Sequence, residues 1–118
     1  MKLTSKEKMI ELCAGQLAAY NKGDIDQFVT YYHPEVEAYR LQNNEVLFKG
    51  IDALKNLYTT RFRENPELFC ELKSRVVLEH SVLDEEWVTG VVNQSAPAHL
   101  VAIYKFKDDL IHSIWFTY

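Results

Sequence analysis

Arg75 and Glu86 lie at nearly equal distances from a turn centred near His80, in Glu79-His80-Ser81, so an antiparallel register sets them across from each other as a charge pair. On an open sheet face such a pair is a clip that contributes about 0–1 kcal/mol. At the end of a cavity, Glu86 becomes an acid or base and Arg75 its orienter. His112 alternates with Ile114, Phe116 and Tyr118 along one strand face, where an imidazole could carry a proton. The other histidines, His33, His80 and His99, fall one to a segment. They lack the i, i+4 pair or close alternation of a preformed zinc site. Cys13 and Cys70 show no metal or redox spacing and read as small buried hydrophobes. No serine, histidine and acid cluster is legible, and four glycines cannot build a phosphate loop. Neither a metal nor a cofactor is called for.

These residues need elements to hold them. Met9, Ile10, Cys13, Leu17 and Tyr20 recur at helical spacing behind a Thr4/Glu7 capping box, which predicts a first helix over residues 5–21 with Gln16 beside its apolar stripe. Asn21 to Gly23 turn that helix off, Asp24 caps a short second helix ending near Tyr32, and Pro34 forces extended structure. Residues 35–41 and 45–48 read as a hairpin around Gln42-Asn43-Asn44. Gly50 opens a third helix carrying Ile51, Leu54, Tyr58 and Phe62 on one face until Asn65-Pro66 stops it. Four segments rich in β-branched and aromatic residues follow, over 68–78, 82–92, 99–106 and 110–118. Helices gathered first and strands last predict an α+β architecture, a bent and mostly antiparallel sheet with N-terminal helices packed on one face.

A chain of 118 residues is expected to form one domain over 1–118 with a core of its own. Hydrophobic residues make up 47% and charged residues 25%, the composition of an ordered globular chain. The net charge of -4 is interspersed and offers no basic stripe, so nucleic acid is not an expected partner. Residues 1–8 lack the apolar run of a secretory signal and no long uncharged apolar stretch occurs. A cytoplasmic protein without membrane attachment is expected. The aromatic content of 13% serves first as core, but the number of tyrosines, each hydroxyl needing a partner, favours a pocket for a small apolar or aromatic molecule.

The Asn-Lys-Gly-Asp-Ile corner at 21–25, Tyr-Tyr-His-Pro-Glu-Val at 31–36, Phe48-Lys49-Gly50-Ile51 and Ile103-Tyr104-Lys105-Phe106 appear in an order that resembles the SnoaL-like and ketosteroid isomerase-like proteins of the nuclear transport factor 2-like (NTF2-like) superfamily. The segment from Ser74-Arg75-Val76-Val77 to Glu86-Trp87-Val88 is similar to a hairpin of one SnoaL-like subgroup. The resemblance implies a cone-shaped, cystatin-like fold enclosing a pocket. Its members include isomerases, dehydratases, polyketide cyclases and domains without catalysis, so residues must decide function. Aligned by the shared motifs, Gln16, Tyr39 and Ala102 take the places of the ketosteroid isomerase tyrosine, base and protonated aspartic acid. All three catalytic groups are absent, and Glu37 is the residual candidate base on that first strand. The resemblance puts Gln16, Tyr39, Tyr58, Phe62, Ala102, Tyr104, Phe116 and Tyr118 around the pocket, with Glu37, Glu86 and His112 as candidate acids or bases. Val101, Ile103, Ile111 and Trp115 alternate away from it, which predicts a homodimer through the convex sheet face.

Overall fold

The computed structural model describes residues 3–118; Met1 and Lys2, the start of the stretch read for a signal, lie outside the described residues. Nine elements follow in order: α1 (Lys6–Lys22), α2 (Ile25–Val29), β1 (Tyr32–Arg40), β2 (Glu45–Lys49), α3 (Ile51–Glu64), β3 (Phe69–Val77), β4 (Ser81–Thr89), β5 (Ala98–Lys107) and β6 (Leu110–Thr117). The strands form one sheet in the order β2-β1-β6-β5-β4-β3. All neighbours are antiparallel except β1 and β6, and the helices cover one face. This is the α+β architecture expected from the order of helical and strand periodicities.

Local chemistry explains the boundaries. Ser5 rather than Thr4 caps α1: its hydroxyl accepts from the Lys8 amide at 3.1 Å, satisfying a donor that the first turn leaves free. The helix ends at Gly23, whose φ of 66° is open to glycine at little steric cost. Asp24 then caps α2 by accepting from the Gln27 amide. The chain is already in strand at Tyr32, three residues before the expected start, because α2 lasts only to Val29. Pro34 sits inside β1, in a stretch where regular pairing with β6 is interrupted between Tyr32 and Glu37.

Buried Met9, Leu12, Cys13, Gln16 and Ala19 follow the helical repeat and lay α1 across the sheet. Phe28, Leu54, Val36, Val82, Ile111 and Ile114 are fully enclosed between helices and strands. Next to them, Tyr20, Phe28, Tyr58 and Phe62 stack edge to face or tilted at centroid distances of 4.8–6.2 Å. This cluster fixes α1, α2 and α3 against one another, and Tyr20 and Phe62 also pack on a second core of Leu68, Cys70, Val88 and Leu100.

Candidate functional site

A cavity of about 340 Å³ lies between α1, α3 and the inner face of the sheet. Its floor is buried Gln16, Tyr32, Tyr104, Glu86 and Ile114, and its mouth is edged by Leu57 and Tyr118, which are 48% and 64% exposed. At the floor Gln16 works as a hub. Its Nε2 donates to the Cys13 carbonyl (3.1 Å) and to the Tyr104 hydroxyl (3.3 Å), while its Oε1 accepts from Tyr32 Oη at 2.9 Å. Tyr104 accepts in that arrangement, and its own hydroxyl hydrogen has no acceptor among the described residues. Burial raises the Tyr32 and Tyr104 hydroxyls well above the usual phenol range, so both stay protonated donors.

Glu86 reaches the cavity from the inward face of β4 and is 5% exposed. Leu72 lies opposite it on β3 and Leu100 on β5, so its flanks are apolar. Burial, reinforced by the neighbouring Asp84 charge, pushes its carboxyl up to about 7, against the pull of a hydrogen bond from the Cys70 thiol and the more distant Arg75 charge. Cys70 is held there by Asn21 at the end of α1. The Asn21 amide donates to the Cys70 carbonyl at 3.0 Å and accepts from its amide at 2.8 Å, as a neighbouring strand would. The same burial raises the Cys70 and Cys13 thiols, so neither is an activated nucleophile.

At the rim stands Arg61, one helical turn beyond Tyr58 on α3. Its Nε donates to the Tyr20 hydroxyl at 3.2 Å, and it makes no salt bridge among the described residues. A second hollow of about 410 Å³, with a mixed polar and apolar lining, lies outside, between Tyr20–Ile25 and the end of α3. It holds neither a buried acid nor the tyrosine hub.

The sequence model for a SnoaL-like domain matches residues 14–114, nearly the whole chain. This chain belongs to the SnoaL-like family. No curated protein matches it by sequence. Among solved structures, this SnoaL-like chain is similar to a cystatin-fold protein from Novosphingobium aromaticivorans (24% identity, 96% of this chain and 97% of the other, TM-score 0.83). It is also similar to a candidate polyketide cyclase from Sinorhizobium meliloti (15% identity, 95% and 98% covered, TM-score 0.77). A candidate ketosteroid isomerase from Kribbella flavida matches with 13% identity, 94% and 77% covered, and a TM-score of 0.78. These likenesses show the NTF2-like, cystatin-like fold.

Of the residues singled out from the sequence, Gln16, Tyr58, Tyr104, Phe116, Tyr118 and Glu86 line this SnoaL-like cavity. Tyr39 and Glu37 do not. On β1 it is Ala38 that pairs with inward Ile114 and Phe48, whereas Tyr39 stacks on Trp115 across the outer face at 5.6 Å and donates a hydrogen bond to Glu37. The interruption around Pro34 shifts the strand's inward set by one residue. His112 also lies outside: an irregularity opposite Lys105/Phe106 leaves Ile111 and Ile114 inward, and His112 meets the ring of His33 at 5.1 Å. Burial and the nearby His33 lower the pKa of His112. Ile111, expected on the convex face, is therefore core. Phe62 lines the outer hollow instead, and Ala102 is fully buried beside Asp84.

The expected Arg75–Glu86 pair is replaced by Arg75–Asp84. The hairpin closes with the Leu78 amide donating to the Ser81 carbonyl, which sets Arg75 opposite Asp84 and gives bidentate bonds of 2.7 and 3.0 Å. Sequence reading missed Arg61 and the thiol of Cys70. The only signal for Arg61 was its place three residues from Tyr58 on a stripe facing the sheet.

Proposed function

We propose that the cavity receives one small, mostly apolar or aromatic molecule and that Glu86 exchanges a proton with it. The observation that carries this reading is a single carboxyl group on an apolar cavity wall, raised to about 7 and so able to give or take a proton near neutral pH. Tyr104 supplies the complementary part. Its free hydroxyl hydrogen, held in place by Gln16, suits an oxygen on which charge develops as Glu86 removes a proton from a neighbouring carbon. Isomerisation, dehydration and aldol-type cyclisation share that step. The Cys70 thiol bond favours the ionised, basic form, and the apolar flanks favour the protonated acid, so Glu86 can alternate within one cycle.

The test is proton exchange at the α-carbon of a small aryl ketone, 2-acetylnaphthalene, followed by proton NMR in D₂O. Binding with catalysed exchange is expected, and Glu86→Gln should lower the rate by about a hundredfold or more. Binding with no catalysed exchange reduces the protein to a non-catalytic ligand-binding module. No binding by this ketone or other one- and two-ring apolar probes overturns the reading.

We also propose that the molecule works as a homodimer through the outer sheet face. Val46, Tyr39, Trp115, Ile103, Leu83 and Val76 are direct cross-strand partners and form one apolar row across all six strands. Half-exposed Val46 and Val76 end the row, an apolar strip on an uncovered sheet face of the kind that marks an interaction surface. Among the described residues no helix is long and apolar enough to cross a membrane. Two free, buried cysteines suit a reducing compartment, and we place the protein in the cytoplasm as one domain over the whole chain.

A further inference from the structure

Arg61 is not explained by acid–base chemistry at the floor. A guanidinium carries five N–H donors in a planar fork, and the single bond from Nε to Tyr20 leaves both terminal nitrogens without a partner among the described residues. Tyr20, Tyr58 and Tyr118 surround it, all aromatic and none carboxylate. It is the one cationic side chain among the residues lining the cavity, and the one acidic side chain there, Glu86, makes no salt bridge with it. The bond to Tyr20, whose ring is itself wedged against Phe28, Tyr58 and Phe62, fixes the plane of the fork at the rim.

We infer that the ligand is a monoanionic amphiphile, a one- or two-ring apolar or aromatic body carrying a carboxylate, with the body on the tyrosine-lined floor and the carboxylate paired to the Arg61 fork. This inference rests on the pocket-binding reading above and names the ligand class for the same cavity. Two parallel N–H···O bonds match the carboxylate geometry. A phosphate or sulfate ester would bring a bulkier tetrahedral group to a rim with one cation and no second donor arm. The volume of about 340 Å³ lies at the small end for ligand sites, which restricts the body to one or two rings. Glu86 does not oppose this arrangement, because near neutral pH it is substantially protonated and lies on the sheet side, across from α3.

Three probes of equal shape separate the possibilities by calorimetry on the full chain near pH 7: 2-naphthoate, its neutral amide 2-naphthamide, and the cation 2-naphthylmethylammonium. The acid should bind about tenfold or more tightly than the amide, as expected for a charge-assisted pair, and the amine weakest. In Arg61→Gln the advantage of acid over amide should disappear, and in Arg61→Lys, which keeps the charge but not the fork, only part of it should remain. Equal binding of acid and amide by the parent overturns the inference while leaving the pocket reading intact, as does a preference for the amine. So does an acid preference that survives Arg61→Gln, or a parallel loss of all three probes in that variant, which would make Arg61 structural. If the parent binds none of the three, the pocket reading fails and the inference with it.

Discussion

Replacing Glu86 by Gln should change how the protein's stability depends on pH, in a direction opposite to most carboxylate mutations. The Glu86 carboxyl stands at about 7 in the folded protein against 4.5 for an exposed glutamate, and at 5% exposure little water is present to screen it. Because the folded-state value is the higher one, folding takes up a proton between those limits. The favourable contribution is therefore complete below pH 4.5 and is lost as the pH rises through 7. Each tenfold change in acidity corresponds to 1.36 kcal/mol, so the ionised group costs the fold about 3 kcal/mol at pH 8. Glutamine has the same shape and no charge, and its amide can still accept from the Cys70 thiol. Other titrating groups face this carboxyl: Asp84 from β4, Arg75 and Cys70 from β3, and Cys13 and Tyr20 from α1. Arg61 from α3, Tyr32, Tyr58 and Tyr104 complete the surroundings. All of these remain in the variant, so the comparison with the parent isolates Glu86. Urea denaturation at pH 5 and pH 8 should show the advantage of Glu86→Gln growing by about 2 kcal/mol between the two, or roughly 5–10 °C in melting temperature. An advantage that is the same at both pH values, or a Glu86 carboxyl titrating near 4.5 by carbon-13 NMR, would refute the reasoning.

Arg75→Met leaves fully buried Asp84 without its bidentate partner and should cost about 3–5 kcal/mol in urea denaturation, much of it recovered in Arg75→Met/Asp84→Leu; a single variant within 1 kcal/mol of the parent would mean the pair is solvated. Trp115→Glu puts a charge at the middle of the outer apolar row and should turn a sedimenting dimer into a monomer. A monomeric parent at micromolar concentration counts against the dimer. Purified protein should give no appreciable isomerisation of a 3-oxo-Δ5-steroid, since the resemblance puts Gln16 and Ala102 where that chemistry needs its two donors, β1 turns Ala38 rather than a carboxylate inward, and one lost donor alone costs about a hundredfold. Robust turnover would show that Glu86 and Tyr104 substitute for them.

Element types were legible because they rest on local physics: the 3.6-residue stripe of α1, the Gly23-Asp24 corner, the Pro66 stop and the alternation in β3 to β6 each act within one turn or one hairpin. The site was less legible because it depends on which face each strand residue takes, and a single irregularity reverses that for everything beyond it. Tyr39 and His112 lie at such irregularities in β1 and β6 and face outward, against the plain alternation; Tyr104 and Phe116, in regular stretches, do line the cavity. Arg61 escaped for another reason. Nothing in a helical stripe distinguishes an arginine that reaches back into a cavity from one that extends into water.

The same kind of irregularity accounts for the different roles of the two inward carboxylates of β4. Asp84 and Glu86 are consecutive residues on one sheet face, and the Arg75↔Asp84 register, continued without interruption, would bring Lys73 opposite Glu86. The shift between Leu72 and Ser74 absorbs Lys73, which turns outward to meet Glu71 at 3.4 Å, and Leu72 takes the place facing Glu86. An ammonium in that place would pair with Glu86 and commit it to structure, as Arg75 does with Asp84. A leucine there leaves the carboxyl in apolar surroundings, with the Asp84 charge one pleat away holding it up further. The bulge in β3 thus makes one acid a structural anchor and the other a proton donor or acceptor poised near neutrality, a distinction that neither residue's identity nor its spacing in the sequence carries.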